Sequence, residues 1–291
     1  MRNRVYLTKI ASHQIEQALS RLCDKLPFPA KANKIGIKVN LCDYRMRETG
    51  VTTDPLVLDP LLKILRSKYP ESTIYLIEHD ATSTIASNLF KWLDIDKTAA
   101  RYDAACVSLA DHDWEKVKID GYRFKEIDVS RTILDCDLMI NHPKLKTHGR
   151  TKVTCGLKNM FGCYRIKNKV AYHRFLDEAI VDINLAVKSH ITIVDGYLCV
   201  EGNRGPTQGL PKKTGVFIGG EDIVAVDACC AKVMGFNPRF IRHIRLAQKK
   251  GLGSICYELD SELTEDQLRE LRFKFNVGKY ALMEALRKVL K

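Results

Sequence analysis

Short apolar runs of strand length alternate along this chain with longer segments of helical period, and that rhythm restricts the fold more than any other feature. VYLTKI (5–10), KIGIKVNL (34–41), STIYLIE (72–78), AACVSLA (104–110), FKEIDV (124–129), CDLMIN (136–141), HITIVDGYL (190–198) and TGVFIGG (214–220) are the strand-like runs. STIYLIE is nearly continuous in apolar residues, the pattern of a strand covered on both faces. Between the runs lie helical stretches. In HQIEQALSRLCDKL (13–26), Ile15, Leu19, Leu22 and Leu26 share one face. Asp54 before Pro55 is a favoured cap pairing for a helix that runs to about Lys68. Further helices are predicted over 84–93, 96–102, 151–163, 173–187, 222–235 and 238–250. The alternation predicts an α/β fold with a mostly parallel sheet flanked by helices. No linker-like stretch interrupts it, so residues 1–291 read as one unit, or as two closely packed α/β lobes over 1–150 and 151–260. LTEDQLRELRFKF and KYALMEALRKVL would then form a helical extension over 261–291.

The formal net charge of +12 favours an anionic partner: nucleic acid, a phosphorylated metabolite, a polycarboxylate or an acidic protein. No apolar run approaches the roughly 20 residues that span a bilayer, so no membrane partner is expected. The first residues lack the apolar centre of a secretory signal, and a cytoplasmic location is expected. Ten cysteines show no C-x-x-C and no ferredoxin run. The chain therefore announces no local iron–sulfur or zinc motif, and the sequence names no cofactor. Most of its cysteines read as buried thiols of a reducing compartment.

The charge concentrates where a strand ends. NHPKLKTHGRTKVTCGLKNMFG (141–162) holds four lysines, one arginine, two histidines and no acid. Functional groups in open α/β sheets gather at the carboxyl ends of strands, and this segment leaves such an end. Pro143 stops a regular ladder. In an extended segment Lys144, Lys146 and His148 point to one side. Gly149 permits a turn, and Thr151 is a candidate cap for a helix reaching Met160. Free amides at that helix start would attract an anion, ringed by Lys146, His148, Arg150 and Lys152. On the helix, Lys152, Cys155 and Asn159 would continue the stripe. The bland alternative is a solvated basic turn.

This segment resembles the uncharacterised family catalogued as domain of unknown function 362. The resemblance extends from about Lys38 to Gly253. It is carried by KVNL (38–41), TTDP (52–55), DCDLMINHPKLKTHGRTKVTCGLKNMFG (135–162), YH (172–173), VDGYLCVEGNRGPTQG (194–209) and AVDACCAKVMGF (225–236). It implies an α/β layout distantly similar to that of nickel-pincer lactate racemases. Many members of that family carry an attached ferredoxin-like segment and are described as iron–sulfur proteins. This chain contains no such segment.

Other residues could face the basic segment. Asp195 ends a strand and Glu201 follows it by six residues; with His173 they could serve proton transfer or metal binding. Turn chemistry is the plain alternative for these acids, and Asp222 and Asp227 read first as helix caps. The loop EGNRGPTQG brings Gly202 and Asn203 as ligand contacts or as a lid. Asn40, Thr52, Asn141 and Asn159 are candidate polar contacts. His142, His148, His173, Cys155 and Cys163 would make a soft metal site only if folded together, and their spacings match no standard motif. The leading expectation is an enzyme that binds a small phosphate- or carboxylate-bearing ligand, with a metal- or redox-linked version. A nucleic-acid-binding protein is the alternative, although no nucleic-acid-binding module is recognisable. Docking to a separate ferredoxin through a basic face is a third reading.

Overall fold

The computed structural model of the chain describes residues 3–12, 14–111, 113–166, 169–202 and 209–275. Strand β1 (Arg4–Lys9) leads through α1 (Ile15–Lys25) to β2 (Lys34–Lys38), and α2 (Pro55–Lys68) leads on to β3 (Thr73–Glu78). Helices α3 (Ala86–Trp92) and α4 (Ile95–Ala100) precede β4 (Ala104–Ser108). A separate two-stranded ladder, β5 (Trp114–Lys118) with β6 (Glu126–Ser130), and the short α5 (Arg131–Leu134) come before β7 (Leu138–Asn141). A hairpin of β8 (Lys144–His148) and β9 (Lys152–Thr154) follows, then α6 (Gly156–Met160) and α7 (Leu176–Ala186). The long pair β10 (Ile191–Glu201) and β11 (Leu210–Gly220) is succeeded by α8 (Ile223–Val233), α9 (Arg242–Lys249), β12 (Glu258–Ser261) and α10 (Glu265–Glu270).

Among the described residues one ten-stranded sheet runs β12-β1-β11-β10-β7-β2-β3-β4, with β8 and β9 branching from β10. From β10 to β4 every pairing is parallel; in that main order only β11 runs against its neighbours. Side chains alternate between two apolar cores. Ile35 and Ile37 of β2, with Leu138 and Ile140 of β7, pack with Leu19, Leu22, Leu58 and Leu61 of α1 and α2. Met139 points the other way, into a core with Ile180, Ile183 and Val224 of α7 and α8. Gly36 makes the β2–β7 contact close: a Cβ there would lie 2.8 Å from Met139 Sδ and 2.9 Å from Cys136 Sγ. Asp54 caps α2 through Leu56 N–H at 2.9 Å, as its sequence implies. No helix among the described residues is long and apolar enough to cross a membrane.

Several expectations are corrected. The largest concerns 151–163, where the predicted helix is replaced by β9 and the much shorter α6. Val153 and Thr154 are β-branched and pair in register with Thr147 and Lys146, so the hairpin claims them. Thr151 is therefore no helix cap. Strand β5 was not foreseen, because charges break its apolar pattern. The loop expected over 201–212 is in part strand, since β11 begins at Leu210. The helix expected from Leu263 shortens to α10, and the one over 279–290 lies outside the described residues.

Candidate functional site

The sheet order sets the site. From β2 the chain moves outward through β3 to β4; it later returns on the other flank of β2 as β7, with β10 beyond. The carboxyl ends of β2 and β7 thus mark the point where successive connections diverge, the usual ligand position in open α/β sheets. Pro143 sharpens the divergence. β7 pairs with the start of β10, through Ile191 and Thr192. After the proline, β8 pairs with the later part of β10, through Asp195 and Val200. β8 therefore follows β10 away from β2.

Three fully buried lysines lie around this wedge, and they are not alike. Lys38 Nζ donates to Glu78 Oε1 at 2.7 Å, and the other oxygen of that carboxylate accepts from Leu41 N–H at 2.8 Å. Lys144 Nζ donates to Asp195 Oδ2 at 2.9 Å. Among the described residues Lys146 makes no hydrogen bond to a carboxylate: its partners are Asn40 Oδ1 at 2.6 Å, Val51 O at 2.8 Å and Cys42 Sγ at 3.3 Å. Burial pulls the pKa of Lys146 down from the ordinary lysine value.

An asparagine chain joins the strands at the same level. Asn40 Nδ2 donates to Asn159 Oδ1 at 2.9 Å, and Asn159 Nδ2 donates to Asn141 Oδ1 at 2.8 Å and to Lys38 O at 3.2 Å. Asn141 Nδ2 closes onto Gly156 O at 3.0 Å. Helix α6 thus sets one amide across the ends of β2 and β7. The segment 41–54 covers Lys146 from the other side. It is fixed at Thr53, whose Oγ1 accepts from Asn40 N–H, and at Gly50, whose φ is 71°. A Cβ at Gly50 would lie 2.5 Å from Cys199 O on β10, so the segment lies directly on that strand.

His142 completes the cluster. Its Nδ1 lies 2.8 Å from Ile193 O, which makes Nδ1 the donor and leaves the Nε2 lone pair buried without a partner among the described residues. Burial, only partly offset by Asp195, lowers its pKa and favours the neutral ring. His148 Nδ1 accepts from Arg150 N–H and Thr151 N–H, at 3.1 and 3.3 Å. Its pKa is held well below the usual value by burial and then by Lys158. Burial also raises the pKa of Asp54.

The helix start expected at Thr151 to hold an anion is not there, and at Gly156, where α6 begins, the free N–H groups are taken by the chain's own carboxylate. Asp227 of α8 accepts from Gly156 N–H at 2.7 Å and Leu157 N–H at 3.1 Å. Lys152 is exposed on β9 with φ 63°, away from α6, so the stripe Lys152–Cys155–Asn159 does not form. Glu201 and Lys146 do not converge. The Glu201 carboxylate takes Lys274 N–H at 2.9 Å and lies 3.7 Å from Lys212 Nζ. His173 sits half-buried in the 3-10 turn before α7, where burial, then Arg150 and Lys158, lower its pKa. Gly202 O accepts from Thr147 Oγ1 at 2.5 Å. Asn203 lies outside the described residues. Among the described residues no group of three or more His, Cys, Asp or Glu is arranged to hold a metal ion.

Sequence reasoning passed over Lys38 and Glu78 as site residues, weighed His142 only as a metal ligand, and read Asp227 first as a cap. The signals were present. Lys38 lies between Ile37 and Val39 in an otherwise apolar strand, and Glu78 closes the neighbouring strand one residue past its register partner, Ile77. Asp227 is the one acid within the apolar run AVDACCA.

A thylakoid-associated protein of Synechocystis sp. is 31% identical over 153 residues, which cover 50% of this chain and 47% of that protein. The chain therefore spans about half the length of that relative. A solved Thermotoga maritima protein aligns over 83% of this chain and 60% of its own, at 13% identity and a TM-score of 0.41. The lactate racemase apoprotein from Thermoanaerobacterium thermosaccharolyticum aligns over 80% and 57%, at 14% identity and a TM-score of 0.39. The family model described as Domain of unknown function (DUF362) matches residues 35–232, and the chain belongs to that family.

Proposed function

We propose that this protein is an enzyme that holds a small carboxylate- or phosphate-bearing ligand at Lys146, where β8 parts from β2. One observation carries the reading: of three buried lysines at the strand ends, Lys146 is the one with no carboxylate in hydrogen-bond contact among the described residues, Glu78 acting on it only from further away. Burying an amine without a countercharge is costly unless function requires it, and such sites attract anions or supply free amines. Asn40, Asn141 and Asn159 would orient the ligand, and Lys144 would add charge from its pair with Asp195. His142 would accept a proton at Nε2, whose lone pair is buried and unengaged. Entry requires the 41–54 segment to lift from Lys146, as lids do in many enzymes. Glu201 and His173 stand outside this proposal because their contacts lie elsewhere.

The burial of Lys144 and Lys146 withdraws them from any phosphodiester surface, which weighs against nucleic acid as the partner of this segment. Ten free cysteines suit a reducing compartment, and the cytoplasm is the location we assign. Calorimetric titration with inorganic phosphate and with malonate tests the site. Binding should weaken at least about tenfold in Lys146→Met, a loss of about 1.4 kcal/mol or more. It should hold in Lys118→Ala, on the exposed face of β5. Equal binding by wild type and Lys146→Met, or steeply salt-dependent binding of generic DNA alone, would overturn the proposal.

A further inference from the structure

Lys146 has a second reactive neighbour. Cys42 opens the covering segment, and its Sγ lies 3.3 Å from Lys146 Nζ. Cys23, Cys155, Cys163, Cys199, Cys229 and Cys230 are buried, whereas Cys42 is only partly so, which gives a small oxidant access to its sulfur. The amine is buried behind it, within contact of the sulfur and, among the described residues, without a carboxylate in hydrogen-bond contact to hold it as an ammonium. A sulfur open to oxidant and an amine shielded from water form the pairing that condensation needs, because water is the competing nucleophile.

We infer that Cys42 and Lys146 form a covalent sulfur–nitrogen cross-link when the protein meets hydrogen peroxide. In the first step the Cys42 sulfur attacks one peroxide oxygen. The O–O bond breaks, Sγ–OH forms, and the other oxygen leaves as water with the thiol proton. In the second step the Lys146 lone pair attacks Sγ. The S–O bond breaks, the departing hydroxide takes an amine proton and leaves as water, and the Sγ–Nζ bond remains. The protein loses two hydrogen atoms, and one peroxide becomes two waters. Burial favours the free amine that this step requires. A thiol reductant attacking the sulfur returns the amine.

The cross-link would pin the 41–54 segment to β8. If the anion site proposed above is correct, oxidation closes it. That consequence rests on the functional reading; the bond itself does not.

The test treats wild-type protein with hydrogen peroxide, alkylates the remaining thiols, digests with trypsin and reads peptide masses. The expected product joins VNLCDYR (39–45) to LKTHGR (145–150), with a mass two hydrogens below the sum of the two. Dithiothreitol before digestion should abolish it, as should Cys42→Ser and Lys146→Arg. Recovery of Cys42 as sulfinic acid or as a dimedone adduct, with chain cleavage after an unmodified Lys146, would overturn the inference. Because the readout is mass and not binding, failure here leaves the anion site standing, and loss of the anion site leaves the cross-link standing.

Discussion

Replacing Asp195 with asparagine should show how much of this protein's stability depends on the buried pair it forms with Lys144. Both side chains are essentially inaccessible, with 1% of Lys144 and none of Asp195 exposed. Asparagine keeps the shape and the acceptor for Tyr197 N–H, now at 3.0 Å from Oδ1, but removes the charge. The Lys144 ammonium is then stranded in a dry site. Breaking one side of a buried pair costs about 3–5 kcal/mol. For a chain of 291 residues the unfolding entropy is about 0.6 kcal/mol per kelvin, so Tm should fall by about 5–8 °C. Adding Lys144→Met removes the stranded charge, and the double variant should recover most of the loss. Urea melts followed by circular dichroism give the four corners of the cycle. A coupling energy below about 0.5 kcal/mol would refute the buried pair, because exposed pairs give values of that size.

Two further outcomes follow from the same geometry. Glycine to alanine within a helix ordinarily stabilises by up to about 1 kcal/mol. Gly156→Ala should instead destabilise by about 2–3 kcal/mol in thermal melts, since its Cβ would lie 2.8 Å from Asp227 Oδ1 and displace the carboxylate that caps α6. The third outcome concerns acid. The folded state holds the pKa values of His142 and His148 below 6.5, so unfolding takes up protons below that pH and stability falls as pH falls. Asp227 opposes this between 3.8 and about 6, where its raised carboxyl binds a proton in the folded state first. Between pH 6.5 and 6 the histidines dominate. His148→Gln should flatten that limb by about half to three-quarters of a proton, roughly 0.7–1 kcal/mol per pH unit, measured by urea melts across the range.

The sequence by itself determined the layers. Apolar runs of strand length, helical stripes and the Asp54-Pro55 start are local signals, and burial on two faces follows from them. It also placed the basic cluster at the end of β7, because Asn141, Lys144 and Lys146 leave that strand together. The partners of those residues were decided by the tertiary structure. Lys144 and Lys146 share a face and lie two residues apart, yet one meets Asp195 and the other Asn40: β8 lies beside β10, and the Lys146 side chain spans to the residue two past the end of β2. The hairpin at β9 was hidden for a related reason: KVT has no strand signal until LKTH lies beside it. No helix starts at Thr151 to receive an outside anion, and the start of α6 at Gly156 is satisfied by Asp227, 71 residues away along the chain. Charge and period are written in single residues and short windows, whereas neutralisation depends on which strand ends the sheet order brings together.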